Sequence, residues 1–148
     1  GQEMIDPEMA FQTLIAADPR FSEIEAVIYT QELPEGVTYP AICMWCLDDM
    51  PGQTFDGADG TVEQTWRFDL YSPDYDQVKI LRRIVKDALL FGNDDLTNGG
   101  KKVTLADGVL SIQSSIWRGG RSVSFDDANQ HVHGWEVEIE FCVLEDAA

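Results

Sequence analysis

Positive charge is scarce in this chain of 148 residues: ten lysines and arginines stand against 27 aspartates and glutamates, a formal net charge of −17. So acidic a surface repels phosphate backbones, which argues against tight nucleic-acid binding and against attraction to anionic membranes. Its plain reading is a solvated, solubilising surface; a sharper one is an acidic surface that faces DNA without holding it. Cysteine is sparse too. Cys43, Cys46 and Cys142 make an odd count with no disulfide framework. Cys43 and Cys46 have C-x-x-C spacing, but a strand sends residues three apart to opposite faces, so a shared metal or redox pair would need a turn there. Reduced, cytoplasmic thiols are expected. No apolar run approaches the roughly 20 residues of a membrane helix, and no basic-then-apolar leader opens the chain, so neither a span nor a signal peptide is expected. The motifs G-x-S-x-G, G-x-x-x-x-G-K-[ST], H-E-x-x-H and G-x-G-x-x-G are absent as well.

What is present suits a globular chain. The hydrophobic fraction is 44%, and a chain of this length buries roughly 70% of its unfolded surface, so one domain over 1–148 is expected. Asp6-Pro7 opens a helix whose apolar face is Ala10, Phe11, Leu14 and Ile15, and Asp18-Pro19 stops it. Ala26 to Tyr29 reads as a short strand, Leu33 to Gly36 as a turn, and Tyr39 to Leu47 as the next strand, with Pro40 at its entry. Asp48 to Gly60 is rich in Gly, Asp and Pro and reads as a mobile loop. Thr61 to Tyr71 alternates cleanly, with Val62, Trp66, Phe68 and Leu70 on one face and Glu63, Arg67 and Asp69 on the other.

A second helix follows, capped by Ser72 or Asp74 and buried along Val78, Leu81, Val85, Ala88 and Leu89, with Phe91-Gly92 closing it. Lys102 to Leu105 pairs with Val109 to Trp117 across Ala106-Asp107-Gly108, and Leu110, Ile112 and Ile116 are expected to face one way. Arg118 to Asn129 reads as a second irregular loop. In the last strand Trp135, Val137, Ile139, Phe141 and Val143 oppose Glu136, Glu138 and Glu140. The expected fold class is α+β: a mostly antiparallel β-sheet with two α-helices packed on its apolar face and the acidic face left wet.

The candidate sites are built from charge. Glu136, Glu138 and Glu140 form a row of like charges about 7 Å apart, which needs solvent or partners. The basic face of the second helix, Arg82, Arg83 and Lys86, can supply those partners from a neighbouring subunit, in a heterologous contact that closes a ring. His131 and His133, two residues apart, share a strand face but lack an obvious carboxylate or thiolate partner, so a surface pair is the expectation. Asp56-Gly57-Ala58-Asp59-Gly60 has the composition of a calcium loop without its order or distal Glu. Gly119-Gly120, flanked by Arg118 and Arg121, can cradle an anion but reads more simply as a flexible basic loop. Nothing here calls for a cofactor or metal.

Three features together carry a family resemblance: the short first helix followed by Val27-Ile28-Tyr29; Tyr39-Pro40-Ala41-Ile42 followed by the Gly57/Gly60 loop; and Thr65-Trp66-Arg67-Phe68-Asp69-Leu70-Tyr71-Ser72 running into an amphipathic helix. Over nearly its whole length the chain resembles the tail-terminator or tail-completion proteins of long-tailed bacteriophages and prophage-like elements. It departs from them in its acidic balance and its long Arg118 to Asn129 loop. The resemblance implies a non-enzymatic virion protein, made in the bacterial host cytoplasm and placed at the tail–head junction. It implies a ring, usually a hexamer, that caps the tail tube protein, ends tail polymerisation and joins the head connector or stopper, while DNA passes through the lumen unbound. On that reading Glu136, Glu138 and Glu140 face the lumen. Docking falls to the two loops, with Asp48, Asp49, Asp56, Asp59, Arg118 and Arg121. The alternatives are another neck protein (a head–tail stopper or adaptor) and a small cytoplasmic ligand-binding or enzyme domain, which would need a concave pocket with convergent polar groups.

Overall fold

The computed structural model describes residues 7–51, 61–90, 101–105 and 108–147. The elements are α1 (Pro7–Ala16), α2 (Pro19–Glu23), β1 (Val27–Thr30), β2 (Ala41–Pro51), β3 (Thr61–Ser72), α3 (Tyr75–Leu89), β4 (Lys101–Leu105), β5 (Gly108–Asp127) and β6 (Gln130–Ala147). Six strands form one sheet in the order β1-β2-β3-β6-β5-β4, antiparallel except for the β1–β2 pair. The fold class is α+β, as expected, but with three described helices rather than two. The added helix, α2, arises where the sequence reads as a stop. Asp18 ends the first helical segment and caps the second, its Oδ1 accepting the Arg20 amide at 2.9 Å, while Pro19 occupies the first turn.

The helices cover one face of the sheet. Phe11 of α1 stacks on Phe141 at a centroid distance of 4.3 Å and meets Trp66 edge-on at 5.3 Å. Around it close Ile42 and Met44 of β2, Phe68 and Leu70 of β3, Leu110 and Ile112 of β5, and Val137, Ile139, Phe141 and Val143 of β6. Helix α3 completes the cover with Val78, Leu81, Ile84, Val85, Ala88 and Leu89, every one buried. Both of its expected caps act in series: Asp74 accepts the Asp76 amide, and the Ser72 hydroxyl accepts the Asp74 amide while donating to Gln77 Oε1. Phe91-Gly92 lies outside the described residues.

Three expectations are overturned, each by strand pairing. Asp48 to Pro51 are strand, not loop, because they pair with Thr65 to Val62 after a bulge at Cys46/Asp48. Asp56, Asp59 and the rest of that Gly/Asp stretch lie outside the described residues. Arg118 to Asp127 are strand as well. Strand β5 pairs with β6 from Gly108↔Ala147 to Asp127↔Gln130, and the turn is only Ala128-Asn129, both at positive φ as a tight two-residue hairpin requires. Finally, Ile116 does not share a face with Leu110 and Ile112. A bulge between Ile112 and Ser114 inserts one residue, and the alternation beyond it inverts. Ile116 is thereby placed opposite Glu140 on the far face, where it is 47% exposed.

Candidate interaction surfaces

Register builds the far face of the sheet. Antiparallel pairing sets Asp69 beside Glu136, Arg67 beside Glu138 and Thr65 beside Glu140, while β5 brings Arg121 beside Glu136. Arg67 donates through Nε to Asp69 Oδ1 at 2.9 Å and pairs through Nη2 with Glu136 Oε1 at 2.6 Å; Arg121 donates to the other Glu136 oxygen at 2.8 Å. Arg118 donates to Glu140 through both Nε and Nη2. Tyr71 donates its hydroxyl to Asp69, and the Arg67 guanidinium lies 5.0 Å from the centroid of a Trp45 ring. The acidic row, which needs solvent or partners, finds partners for Glu136 and Glu140 within the chain, in a ladder of acids and arginines. Glu136 is held by arginines from both neighbouring strands and Glu140 by Arg118 of β5, and of the three glutamates only Glu138 is exposed.

Burial sets the protonation of this ladder. Asp69 is 3% exposed, and burial raises its carboxyl above the usual value, against hydrogen bonds from Arg67 and Tyr71. Burial also works to lower the Arg67 guanidinium, but Asp69 and Glu136 more than offset it and leave Arg67 raised. The two shifts favour opposite states of the pair. Desolvation decides at the enclosed carboxylate, and the anionic neighbours decide at the arginine, which still reaches solvent. Above the ladder, Arg67, Arg118, Gly119, Gly120, Arg121, Glu136 and Glu138 line an open cleft of about 380 Å³. Its cations already hold carboxylates, so the Gly119-Gly120 segment is a bulged, ion-paired strand rather than a free anion cradle.

On the helix side, the three expected basic residues part company. The Arg82 guanidinium lies over Trp135 and Trp117, at 4.8 and 5.7 Å from their centroids, and the Lys86 ammonium lies over Trp117 at 4.8 Å. Arg83 turns to the opposite flank, in a cleft of about 430 Å³ with Arg20, Asp76, Lys79 and Ile80. Sequence reasoning found the cations but not the two tryptophans beneath them.

The hairpin tip is fastened rather than free. Tyr39 donates to Asp127 at 2.6 Å, Tyr71 meets Phe125 edge-on, and Val132 is fully buried. His131 and His133 do share a face, 4.9 Å between ring centroids. The hairpin register gives His131 the carboxylate that linear spacing hides: Asp126, 3.0 Å from Nδ1. Cys43 and Cys46 sit on opposite faces of β2, Cys43 opposite Asp69 and Cys46 against the core. Among the described residues no group of three or more metal-ligating side chains comes together, and no helix is long and apolar enough to cross a membrane.

The sequence matches no protein-family model and no curated protein. Its fold is matched by a solved structure, a chain of the "Virion of native gene transfer agent (GTA) particle". That likeness has a TM-score of 0.65 at 14% sequence identity, over 94% of this chain and 94% of that one. At such identity the shared property is the fold.

Proposed function

We propose that this chain is a structural virion protein of a phage-like particle, and within it a ring-forming tail-terminating protein that caps the tail tube and joins it to the head connector. The observation that carries the reading is the end-to-end likeness to a chain of a gene transfer agent virion. It agrees with the resemblance carried in the sequence by the first helix and Val27-Ile28-Tyr29, by Tyr39 to Ile42 with the Gly57/Gly60 loop, and by Thr65 to Ser72 running into an amphipathic helix. The described surface is consistent with geometric rather than chemical work. The arginines of the far face are held in ion pairs with its carboxylates, and the clefts are open.

In the ring, the far face of the sheet turns to the lumen. Duplex DNA then slides over a ladder in which arginines and carboxylates nearly cancel, a surface without the unpaired cations that hold phosphates. Negative-stain imaging of the purified protein, alone and with tail tubes, tests the assignment. Rings seated at tube ends are the expected result. Rings that bind a portal or connector but never a tube would make the protein a stopper or adaptor instead.

A further inference from the structure

The flank of α3 that overhangs β5 collects polar groups without partners. Among the described residues, the buried side-chain polar atoms lacking a hydrogen bond are Arg82 Nε, Ser115 Oγ and Trp135 Nε1. Arg82 covers Trp135 and Trp117, and Ser115 and Trp117 pair with the core-facing Phe141 and Ile139, so all three atoms belong to one shelf on the helix side of the sheet. Neither Arg82 nor Lys86 makes an ion pair among the described residues, whereas Arg20, Arg67, Lys79, Arg118 and Arg121 all do. Although acids outnumber bases 27 to ten in the chain, Arg82 and Lys86 lie on tryptophan faces with no carboxylate partner among the described residues. A cation–π contact contributes only about 0.5–1 kcal/mol at a solvated site. The shelf also adjoins an open edge: β4 pairs only with Gly108 to Ile112, and from Ser114 onward β5 has no outer neighbour among the described strands.

The other end of the sheet is its complement. Strand β1 is the opposite edge, and Glu23, Glu25, Glu32 and Glu35 stand exposed around its two ends. None of the four is in an ion pair among the described residues.

We propose that these two edges join copies of the chain head to tail, the Arg82/Lys86/Trp117/Trp135 shelf of one copy receiving the Glu23/Glu25/Glu32/Glu35 rim of the next. Charge complementarity selects a second copy. A foreign acidic partner would satisfy the cations but leave the rim at the far edge without a role, while a second copy accounts for both. Opposite edges that complement each other give a heterologous contact, the kind that closes into a ring. The inference rests on the ring reading above and adds to it the surfaces that touch.

Two charge-reversed full-length proteins test it: R82E/K86E on the shelf and E25K/E32K on the rim. Assembly is followed by sedimentation and negative stain, alone at high concentration and on tail tubes, with circular dichroism as the check on folding. Each variant alone is expected to raise the concentration needed for assembly at least about tenfold, since like charges face each other across the joint. An equal mixture is expected to assemble as the wild type does, because in alternating copies each reversed shelf meets a reversed rim, and each unreversed shelf an unreversed rim. Wild-type assembly with either folded variant assembling equally well, or with no rescue on mixing, overturns this contact and leaves the ring standing. Should the shelf variant fold poorly, the rim variant decides alone by the same criterion. Failure of the wild type itself to form rings, even on tubes, overturns the ring reading and this inference with it.

Discussion

At the scale of single residues, the pair Arg67–Asp69 governs the far face. Asp69 lies deep in the sheet and depends on Arg67 for its counter-charge. Arg67→Ala leaves that carboxylate buried and unpaired, which is expected to cost about 3 kcal/mol in urea unfolding at neutral pH. Asp69→Asn should behave differently, because it removes the charge along with the pair. Burial raises the Asp69 carboxyl in the folded state above its ordinary 3.8. The native protein therefore binds more protons than the unfolded chain across the interval between those two values, and this group's contribution to stability falls as pH rises through it. Relative to wild type, Asp69→Asn should gain stability as pH climbs from near 3.8 and then level off. A difference that stays flat across that range would show that burial does not control this carboxyl.

Among the elements, β5 is where local sequence and fold disagree most. Arg118-Gly119-Gly120-Arg121 has the composition of a turn, yet it is the middle of a strand because β6 beside it offers an unbroken row of backbone partners. The two glycines serve different ends there. Gly119 sits at φ +138 in a bulge, a conformation that side chains resist. Gly120 lies against Trp135: a Cβ would come within 2.5 Å of the indole Nε1 and 2.8 Å of the Glu136 carbonyl. Gly120→Ala should therefore destabilise by about 2 kcal/mol through overpacking against backbone, read as a lowered thermal midpoint. It should also loosen Trp135 beneath Arg82, visible in tryptophan fluorescence. Elements with strong periods were legible in the sequence. The two-residue alternation of β3 and β6 and the 3.6-residue stripe of α3 each report which face is buried, and a buried face needs no knowledge of the partner. The end of β2, the length of β5 and the facing of Ile116 were not legible, because pairing and bulges fix them and those belong to two strands at once. The same holds for the candidate surfaces. The cations and acids were visible, but which glutamate meets Arg67 and which tryptophan lies under Arg82 depend on strand register and on where α3 rests.

For the whole molecule, the chain is far more acidic than the face proposed to meet DNA. Over the ladder, Arg67, Arg118 and Arg121 stand against Asp69, Glu136, Glu138 and Glu140, three positive charges against four negative, a local net of −1 inside a protein of −17. A lumen built from such faces repels phosphates weakly and offers them no unpaired cation, so DNA is neither excluded nor trapped. Glu138 is the sensitive position, being the exposed member of the row while its neighbours are fixed by arginine. Glu138→Lys changes each face from a small negative net to a small positive one, and the proposed ring would repeat the change in every copy. A new lysine–phosphate contact contributes about 1 kcal/mol in a water-like dielectric, and a file of them around the duplex acts together. Particles carrying Glu138→Lys are expected to assemble normally but to release DNA more slowly. Because counterions compete for the same phosphates, the delay should shrink as salt is raised. The substitution touches no ion pair of the ladder, so loss of fold would not mimic the effect, and the salt dependence separates electrostatic drag from a blocked channel. Release at wild-type speed at low salt would mean that the Glu136/Glu138/Glu140 face does not line the path of DNA.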